Sequence, residues 1–384
     1  MMITMNNALG TNIKRYRTIL GYNQSLMAEK TGLSRPAYAA IESGRSEPKA
    51  RNLMKIADVL RINIQDLFEP LPQFQSLRFR KNAHATSKEE SKREQVLIAF
   101  NRKLQDYNFL IKELNKPKEN MITQIMGSDP VSAAMDARKS AGIQDHEVIS
   151  NICSIIEKFG LVLSFIDSDS RLFFGFSVGN EDNGPAICVN THESISIERQ
   201  IFTIAHELGH LVMHRASYSG TISDAQDDQE EKEADIFASY FLMPDELFRK
   251  FFSEYKHLHW FDMIIALKRI FRVSYKTVIY RIIEKNLVRN DFNLWIHFPM
   301  EYNKRTSRTL KNHTEPEPIT SIVEDYRQRE PEHLHRGDFM RDTLQGLVQE
   351  AYFRELITFS RAGEILQKDN EAMNQLLESW DVME

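Results

Sequence analysis

Cysteine is almost absent from this 384-residue sequence, which has only Cys153 and Cys188. Two thiols are too few for a disulfide framework or a cysteine-based zinc site, and such sparse usage fits a reducing cytosol. Long apolar runs are missing too. No stretch reaches the roughly 18 apolar residues that a membrane helix requires. Met1 to Gly10 shows no basic stretch leading into an apolar one. The expectation is therefore a cytoplasmic protein without a membrane span or signal peptide. There is no glycine-rich phosphate loop and no internal repeat, which removes the usual basis for nucleotide binding and for solenoid folds. What remains is an ordinary apolar share of 42%, enough to bury a sizeable core. The length suits two or three domains.

Charge is unevenly spread. Residues 1–118 carry 21 Lys and Arg against 11 Asp and Glu, whereas the remainder carries 28 against 43. A basic third joined to an acidic body suggests that the first part meets a polyanion. Within it, Leu9, Ile13, Tyr16, Ile19 and Leu20 recur at helical spacing. Gly21 ends that helix, Asn23 caps a second from about Gln24 to Thr31, and Gly32 turns the chain. Ser34 caps a third helix with Pro36 in its first turn, where a missing N–H is harmless. A fourth covers about Lys49 to Leu60, and a short fifth about Asn63 to Phe68.

Two helices joined by a three- or four-residue turn containing glycine make a helix-turn-helix. The run Asn23 to Ser34, followed by Ile41-Glu42-Ser43-Gly44-Arg45 and Pro48, closely resembles the Cro/repressor-type (XRE) family of DNA-binding domains over about 60 residues. The resemblance implies that the third helix enters the major groove of an operator. Carried over by position, Gln24 holds the DNA backbone and the Ser34-capped helix brings Arg35, Ala37 and Tyr38 nearest the bases. Arg45 and Lys49 meet phosphates. Arg35 has the fork that pairs with guanine.

Pro70 and Pro72 break the helical pattern, and Leu77 to Lys81 suits a short strand or a basic arm. Ser87 to Leu114 then reads as one long helix with an apolar stripe that includes Val96, Phe100, Leu104, Leu110 and Leu114. That stripe suits a dimerisation helix or part of the following domain's core. Helix-turn-helix proteins usually read paired half-sites as dimers, which favours the homodimer.

The strongest chemical signal is His206-Glu207-Leu208-Gly209-His210. Histidines four apart project from one helical face. In such H-E-x-x-H helices both imidazoles bind zinc, and the glutamate is general base toward the metal's water. A catalytic zinc needs a third protein ligand and one open position. Downstream, Glu230-Glu231-Lys232-Glu233-Ala234-Asp235 opens a second helix-like stretch that can supply a carboxylate. Glu231, Glu230, Glu233 and His214 compete for the role, although His214 points off the metal face. Asp235, four residues after Glu231, can bond the second nitrogen of a ligating imidazole. A third histidine ten residues after His206 would make the elongated metzincin pattern, but position 216 is Ala216.

The stretch Glu198 to Leu211, with Glu231, Ala234-Asp235, Phe237-Ala238 and Leu242-Met243-Pro244, resembles the ImmA/IrrE family of gluzincin-like metallopeptidases over about Asp129 to Val288. That resemblance implies a zinc (Zn2+) site of His206, His210 and Glu231, with Glu207 as catalytic base. It makes Ala186 to Asn190 the edge strand along which an extended substrate pairs. It also implies cleavage of a partner repressor in stress or mobile-element control. No oxyanion donor is named by the sequence; His192, Tyr218, Tyr240, His257 and His259 are the candidates.

Leu267 to Ile282 resembles a second, degenerate helix-turn-helix, serving as scaffold or as a partner-binding element. Residues 303–336 are polar and proline-containing and suit a linker; His313, His333 and His335 there raise a second metal site. Leu344 to Met383 is expected to be helical. The expected fold is multidomain and mainly α with a small β-sheet. Residues 1–70 form a five-helix helix-turn-helix domain, 71–128 a linker and long helix, 129–300 an α+β zincin-like (gluzincin) domain, and 301–384 a C-terminal linker and helical region. The expected function is a DNA-binding transcriptional regulator with a zinc endopeptidase domain. It would bind double-stranded operator DNA and cleave a repressor, a toxin–antitoxin partner or itself. The alternative is a catalytically silent zincin-fold sensor or antitoxin that represses its own operon.

Overall fold

The structure is a computed structural model. It describes all residues except 1–4, 61, 63, 69–73, 79–86, 117–119, 170–172, 219–223, 290–292, 312–313, 317–342 and 382–384. His313, His333 and His335 lie outside the described residues. The chain forms two compact units, one of Met1–Gln73 with Asn82–Asn101 and one of Phe74–Lys81 with Arg102–Glu384.

The first unit contains α1 (Met5–Ile19), α2 (Gln24–Thr31), α3 (Arg35–Glu42), α4 (Ala50–Leu60), a short 3₁₀ turn (Ile64–Leu67) and the first half of α5 (Ser87–Glu113). The sequence signals act as expected. The Asn23 side chain accepts from the Leu26 N–H, Gly32 closes α2 at φ 67°, and the Ser34 hydroxyl accepts from the Ala37 N–H. Ile13, Met27, Tyr38 and Ile56 fill the core. One buried polar network ties the first three helices together. Arg17 donates twice to Glu42, at 2.7 and 2.9 Å, and once to the Tyr22 carbonyl at 2.6 Å, while Gln24 donates to Glu42 at 3.0 Å. Burial alone would push the Glu42 carboxyl up, but the hydrogen bonds from Arg17 and Gln24 hold it below the usual range.

The second unit is built on a sheet of four strands in the order β1 (Leu77–Arg78), β3 (Gly175–Val178), β4 (Ala186–Asn190), β2 (Val162–Ile166). β2 and β4 are parallel; β3 runs antiparallel to both β4 and β1. The Asp182 carboxylate anchors β1 by accepting from the Gln75 and Ser76 N–H groups at 2.9 and 2.6 Å. The helices are α6 (Pro130–Ser140), α7 (Ile152–Lys158), α8 (Ile197–Met213), α9 (Asp224–Leu242), α10 (Asp245–Tyr255), α11 (Trp260–Phe271), α12 (Tyr275–Glu284) and α13 (Leu294–Thr306), then α14 (Thr343–Phe353), α15 (Phe359–Leu366) and α16 (Asn370–Asp381). α8 packs against α9, α6 and the sheet at the centre of the largest apolar cluster. Among the described residues no helix is long and apolar enough to cross a membrane.

One expectation is corrected. Ala186 to Asn190 is not an edge strand: β4 pairs with β2 on one side and β3 on the other, and all five of its residues are buried. Continuous burial on both faces is the signature of an interior strand. The segment 71–128 contains the expected long helix, α5, and the two units divide within it. The C-terminal part of the α5 stripe, Leu110 and Leu114, packs with Leu347, Val348, Ala351 and their neighbours in α14–α16, as part of the second unit's core. The C-terminal helices thus belong to the second unit.

α11 and α12 reproduce the turn of α2 and α3. Arg272 takes the left-handed position at φ 55°, and the Ser274 side chain accepts from the Thr277 N–H as Ser34 does for Ala37. The first turn of α12 is nevertheless closed. The Tyr275 N–H donates to the Glu315 carboxylate at 3.2 Å, and the Tyr275 ring stacks on Phe298 at 4.6 Å. Burial raises the Glu315 carboxyl to about 7 despite Lys268 beside it. A helix whose first turn is covered in this way is placed to act as scaffold.

Candidate functional site

α8 begins where the Ser196 side chain accepts from the Arg199 N–H, and its apolar residues Ile201, Ile204, Leu208 and Leu211 bury its back. His206 and His210 leave the opposite side, facing α9. The two helices come very close at Gly209: a Cβ there would lie 2.9 Å from Phe237 Cδ1 and 3.2 Å from Phe237 Cβ. This close crossing brings the acidic start of α9 over the imidazoles.

Three ligand atoms converge. His206 Nε2 and His210 Nε2 are 3.0 Å apart, and Glu231 presents Oε2 at 3.4 Å from the first and Oε1 at 3.3 Å from the second. Donors about 2.0–2.1 Å from a tetrahedral ion are spaced about 3.3 Å from one another, so the three side chains fit one zinc-sized cation. Among the described residues this is the one His/Cys/Asp/Glu group with metal-binding spacing. The outer nitrogens are also engaged. His206 Nδ1 lies 2.8 Å from Asp235 Oδ1, His210 Nδ1 lies 2.9 Å from His214 Nδ1, and His214 Nε2 lies 3.0 Å from Glu233 Oε2. With both Nε2 lone pairs given to a cation, each Nδ1 carries the proton. His210 then donates to His214, and His214 donates to Glu233, a self-consistent set of tautomers. His214 and Glu233 are therefore not ligands. Glu230 accepts from the Ser217 hydroxyl at 2.6 Å instead.

Glu207 lies on α8 next to the first imidazole and is held from the sheet. The Ser177 hydroxyl of β3 donates to Glu207 Oε2 at 2.5 Å, and the Tyr218 hydroxyl lies 2.7 Å from Ser177 Oγ. Of the five oxyanion candidates only Tyr218 has a described link to this site. His192 bonds Ser194, His257 bonds the Glu254 carbonyl, His259 caps α11, and Tyr240 bonds Glu284 and Lys285. Ser177 had no signal in the sequence, being one hydroxyl in a short strand. His214 had one, its i,i+4 spacing from His210.

β3 passes tightly over α8. A Cβ at Gly175 would lie 2.5 Å from Thr203 Cγ2 and 2.9 Å from the Cys188 carbonyl oxygen, which requires glycine. The Asn190 N–H donates to the Phe174 carbonyl, so alternation turns the Gly175 N–H and C=O away from β4. Among the described residues β1 pairs only with Ser177 and Val178. Among the described residues, the stretch of β3 beside Glu207 that has no strand opposite it on that side is its start at Gly175.

In the first unit, Ser34, Arg35, Ala37, Arg45 and Lys49 are exposed around the start of α3 and the chain that follows it. Arg45 Nε donates to the Ser43 hydroxyl at 2.9 Å. Gln24 is half-buried with its amide on Glu42. Tyr38 corrects the sequence reading: it is 0% exposed and packs in the core, so its ring is not offered to a base. Tyr38 belongs with Ile41 and Glu42 to the buried face of α3, while Arg35 stands exposed at the helix's first residue.

Burial would lower the His206 imidazole, but its bonds to Asp235 and Glu231 and the nearby Glu207 charge outweigh that and raise it to about 9. Burial likewise works against the Glu231 carboxylate, yet the two imidazoles hold it well below the usual range, so it stays ionised. A cation must displace the His206 proton. Apparent zinc affinity is therefore expected to tighten by about tenfold per pH unit from 6.5 upward and to level off only near 9, as read by competition with a chromophoric chelator. Levelling near 7 would show ordinary imidazoles. In the same titration at fixed pH, His214→Phe is expected to weaken zinc binding by about ten- to a hundredfold with the circular dichroism spectrum unchanged. Unchanged affinity would make the His214–Glu233 relay irrelevant to the ligands.

Two family models match the sequence: a helix-turn-helix model over residues 13–67, and a peptidase-family model described as an IrrE N-terminal-like domain over residues 156–282. The chain is 33% identical over 60 residues to the SPbeta prophage-derived uncharacterized HTH-type transcriptional regulator YonR of Bacillus subtilis (strain 168), covering 16% of this chain and 56% of that protein. It is 41% identical over 51 residues to the cryptic phage CTXphi transcriptional repressor RstR of Vibrio cholerae serotype O1, covering 13% and 46%. It is 36% identical over 56 residues to the uncharacterized HTH-type transcriptional regulator MJ0272 of Methanocaldococcus jannaschii, covering 15% and 85%. The chain spans about half the length of the first two. The chain belongs to the XRE-type helix-turn-helix family of transcriptional regulators and carries, behind that domain, an IrrE N-terminal-like domain of the ImmA/IrrE metallopeptidase family.

Proposed function

We propose that the chain is a DNA-binding regulator whose second unit is a zinc endopeptidase. Its substrate is an extended segment of a partner repressor or antitoxin, or of the chain itself. The observation that carries this is the convergence of His206, His210 and Glu231 within one coordination sphere, with Glu207 alongside. Those three side chains would hold the ion, and Asp235 and His214 keep the imidazoles turned toward it. Bound there, zinc supplies Lewis acidity toward a water and a peptide carbonyl.

The chain's own residues supply the rest. The Gly175 edge of β3 takes the substrate backbone as an added strand, which aligns a peptide bond with the ligands. Glu207 accepts the proton of the attacking water and delivers it to the departing amine. The Ser177 hydroxyl fixes the plane of that carboxylate. Tyr218, joined to Ser177, holds the far side of this hydrogen-bonded chain. In the first unit, Arg35 and Ala37 meet base edges while Gln24, Ser34, Arg45 and Lys49 border the phosphates. Two copies would engage paired half-sites.

Glu207→Gln keeps the shape of the site and removes the base. Zinc content and operator binding are expected to be unchanged, with the cleavage rate falling by about a hundred- to ten-thousandfold. Labelled N-terminal proteomics of cells expressing either form checks this. New protein N-termini unique to the unsubstituted chain are the expected result. Identical N-terminal profiles would favour the silent sensor or antitoxin.

A further inference from the structure

Arg199 has no role in the site as described so far, yet it lies on the same face of α8. Positions 199, 203, 206 and 210 recur at intervals of four, three and four, so Arg199, Thr203, His206 and His210 form one line along the helix. Thr203 is the residue that β3 passes over at Gly175. Arg199 lies one turn before it, and its guanidinium stacks on the Phe174 ring at 4.3 Å. Phe174 immediately precedes the Gly175 edge. Arg199 keeps an exposed surface, although its guanidinium lies close enough to protein that burial lowers its pKa. Among the described residues the guanidinium makes this ring contact and no carboxylate lies within ion-pair distance of it; the Asp235 carboxylate, farther off, acts against the effect of burial. A planar cation held by an aromatic face, with its N–H fork unspent, is a recogniser of carboxylates.

Spacing says which carboxylate. Seven helical residues separate Arg199 from His206, about 10 Å along the axis. That is too far for the reacting carbonyl and equals about three residues of an extended strand. β1 lies antiparallel on the same side of β3. A substrate strand in that direction runs from the Ser177 end toward the Phe174 end, so the residues beyond its scissile bond approach Arg199. We infer that Arg199 is a specificity residue, recognising an acidic side chain about three residues to the C-terminal side of the scissile bond.

This inference rests on the peptidase reading but is tested by binding. The full chain carrying Glu207→Gln, loaded with zinc, is applied to a positional-scanning array of random decapeptides made with free and with amidated C-termini. Retention of Asp and Glu peptides about tenfold above their Asn and Gln counterparts is expected, whether or not the end is amidated. Adding Arg199→Gln should erase the preference, and adding Arg199→Glu should replace it with one for Lys and Arg. A role confined to packing would not produce that reversal. A preference that needs a free C-terminus would assign the carboxylate to the chain end and overturn the internal acidic residue. Equal retention of acidic and amide peptides, retention of none, or a preference that survives Arg199→Gln would overturn the subsite. Hydrolysis of the same peptides by the unsubstituted chain is followed in parallel by mass spectrometry. Cleavage without acidic preference removes the subsite and leaves the peptidase. Arg199-dependent binding without cleavage does the reverse.

Discussion

The close crossing of α8 and α9 at Gly209 is the contact on which the site depends. Phe237 sits where any side chain at position 209 would have to be, so the two helices meet almost backbone to ring. Glu231 lies between one and two turns before Phe237 on α9 and Asp235 about half a turn before it, and His206 and His210 flank the glycine on α8. The approach therefore sets the distance between carboxylates and imidazoles. A wider crossing would separate them and leave two histidines and an acidic helix without a common centre. The apolar residues on the far side of α8 hold this arrangement against the sheet, so the polar constellation rests on ordinary core packing.

Around that centre, each reactive group has a partner that restricts it. Asp235 and His214 fix the imidazoles, Glu233 fixes His214, and Ser177 fixes Glu207. These partners come from α9, β3 and the residue that ends α8. The site is thus assembled by the tertiary fold, although its most recognisable residues are contiguous in the chain.

That division explains how much was legible in the sequence. Local chemistry could be read directly: Asn23 and Ser34 as caps, Gly32 as the left-handed turn, Pro36 in a first turn, and His206 and His210 on one face all depend on neighbours within a few residues. Glu231 and Asp235 were reachable because a carboxylate four residues before another makes one face of a helix. Ser177, the inward turn of Tyr38 and the place of β4 were not legible, since each depends on which surface packs against which. Ala186 to Asn190 reads the same as an edge or an interior strand until its neighbours are known. The α5 stripe likewise signals burial without saying by what, and at its C-terminal part, Leu110 and Leu114, the covering surface is the chain's own C-terminal helices. The repeated turn of α11 and α12 shows the converse. Matching local signals produced the same geometry, yet Glu315 and Phe298 cover the surface that a DNA-reading helix keeps open.

The central claim is that two imidazoles and one carboxylate share a single zinc ion. Zinc K-edge X-ray absorption on the purified full chain tests it most directly. The account predicts one zinc per chain with a first shell of nitrogen and oxygen at about 2.0–2.1 Å, including the outer-ring scattering of two imidazoles. A sulfur shell at about 2.3 Å, or a chain that holds no zinc after saturation and desalting, would contradict it.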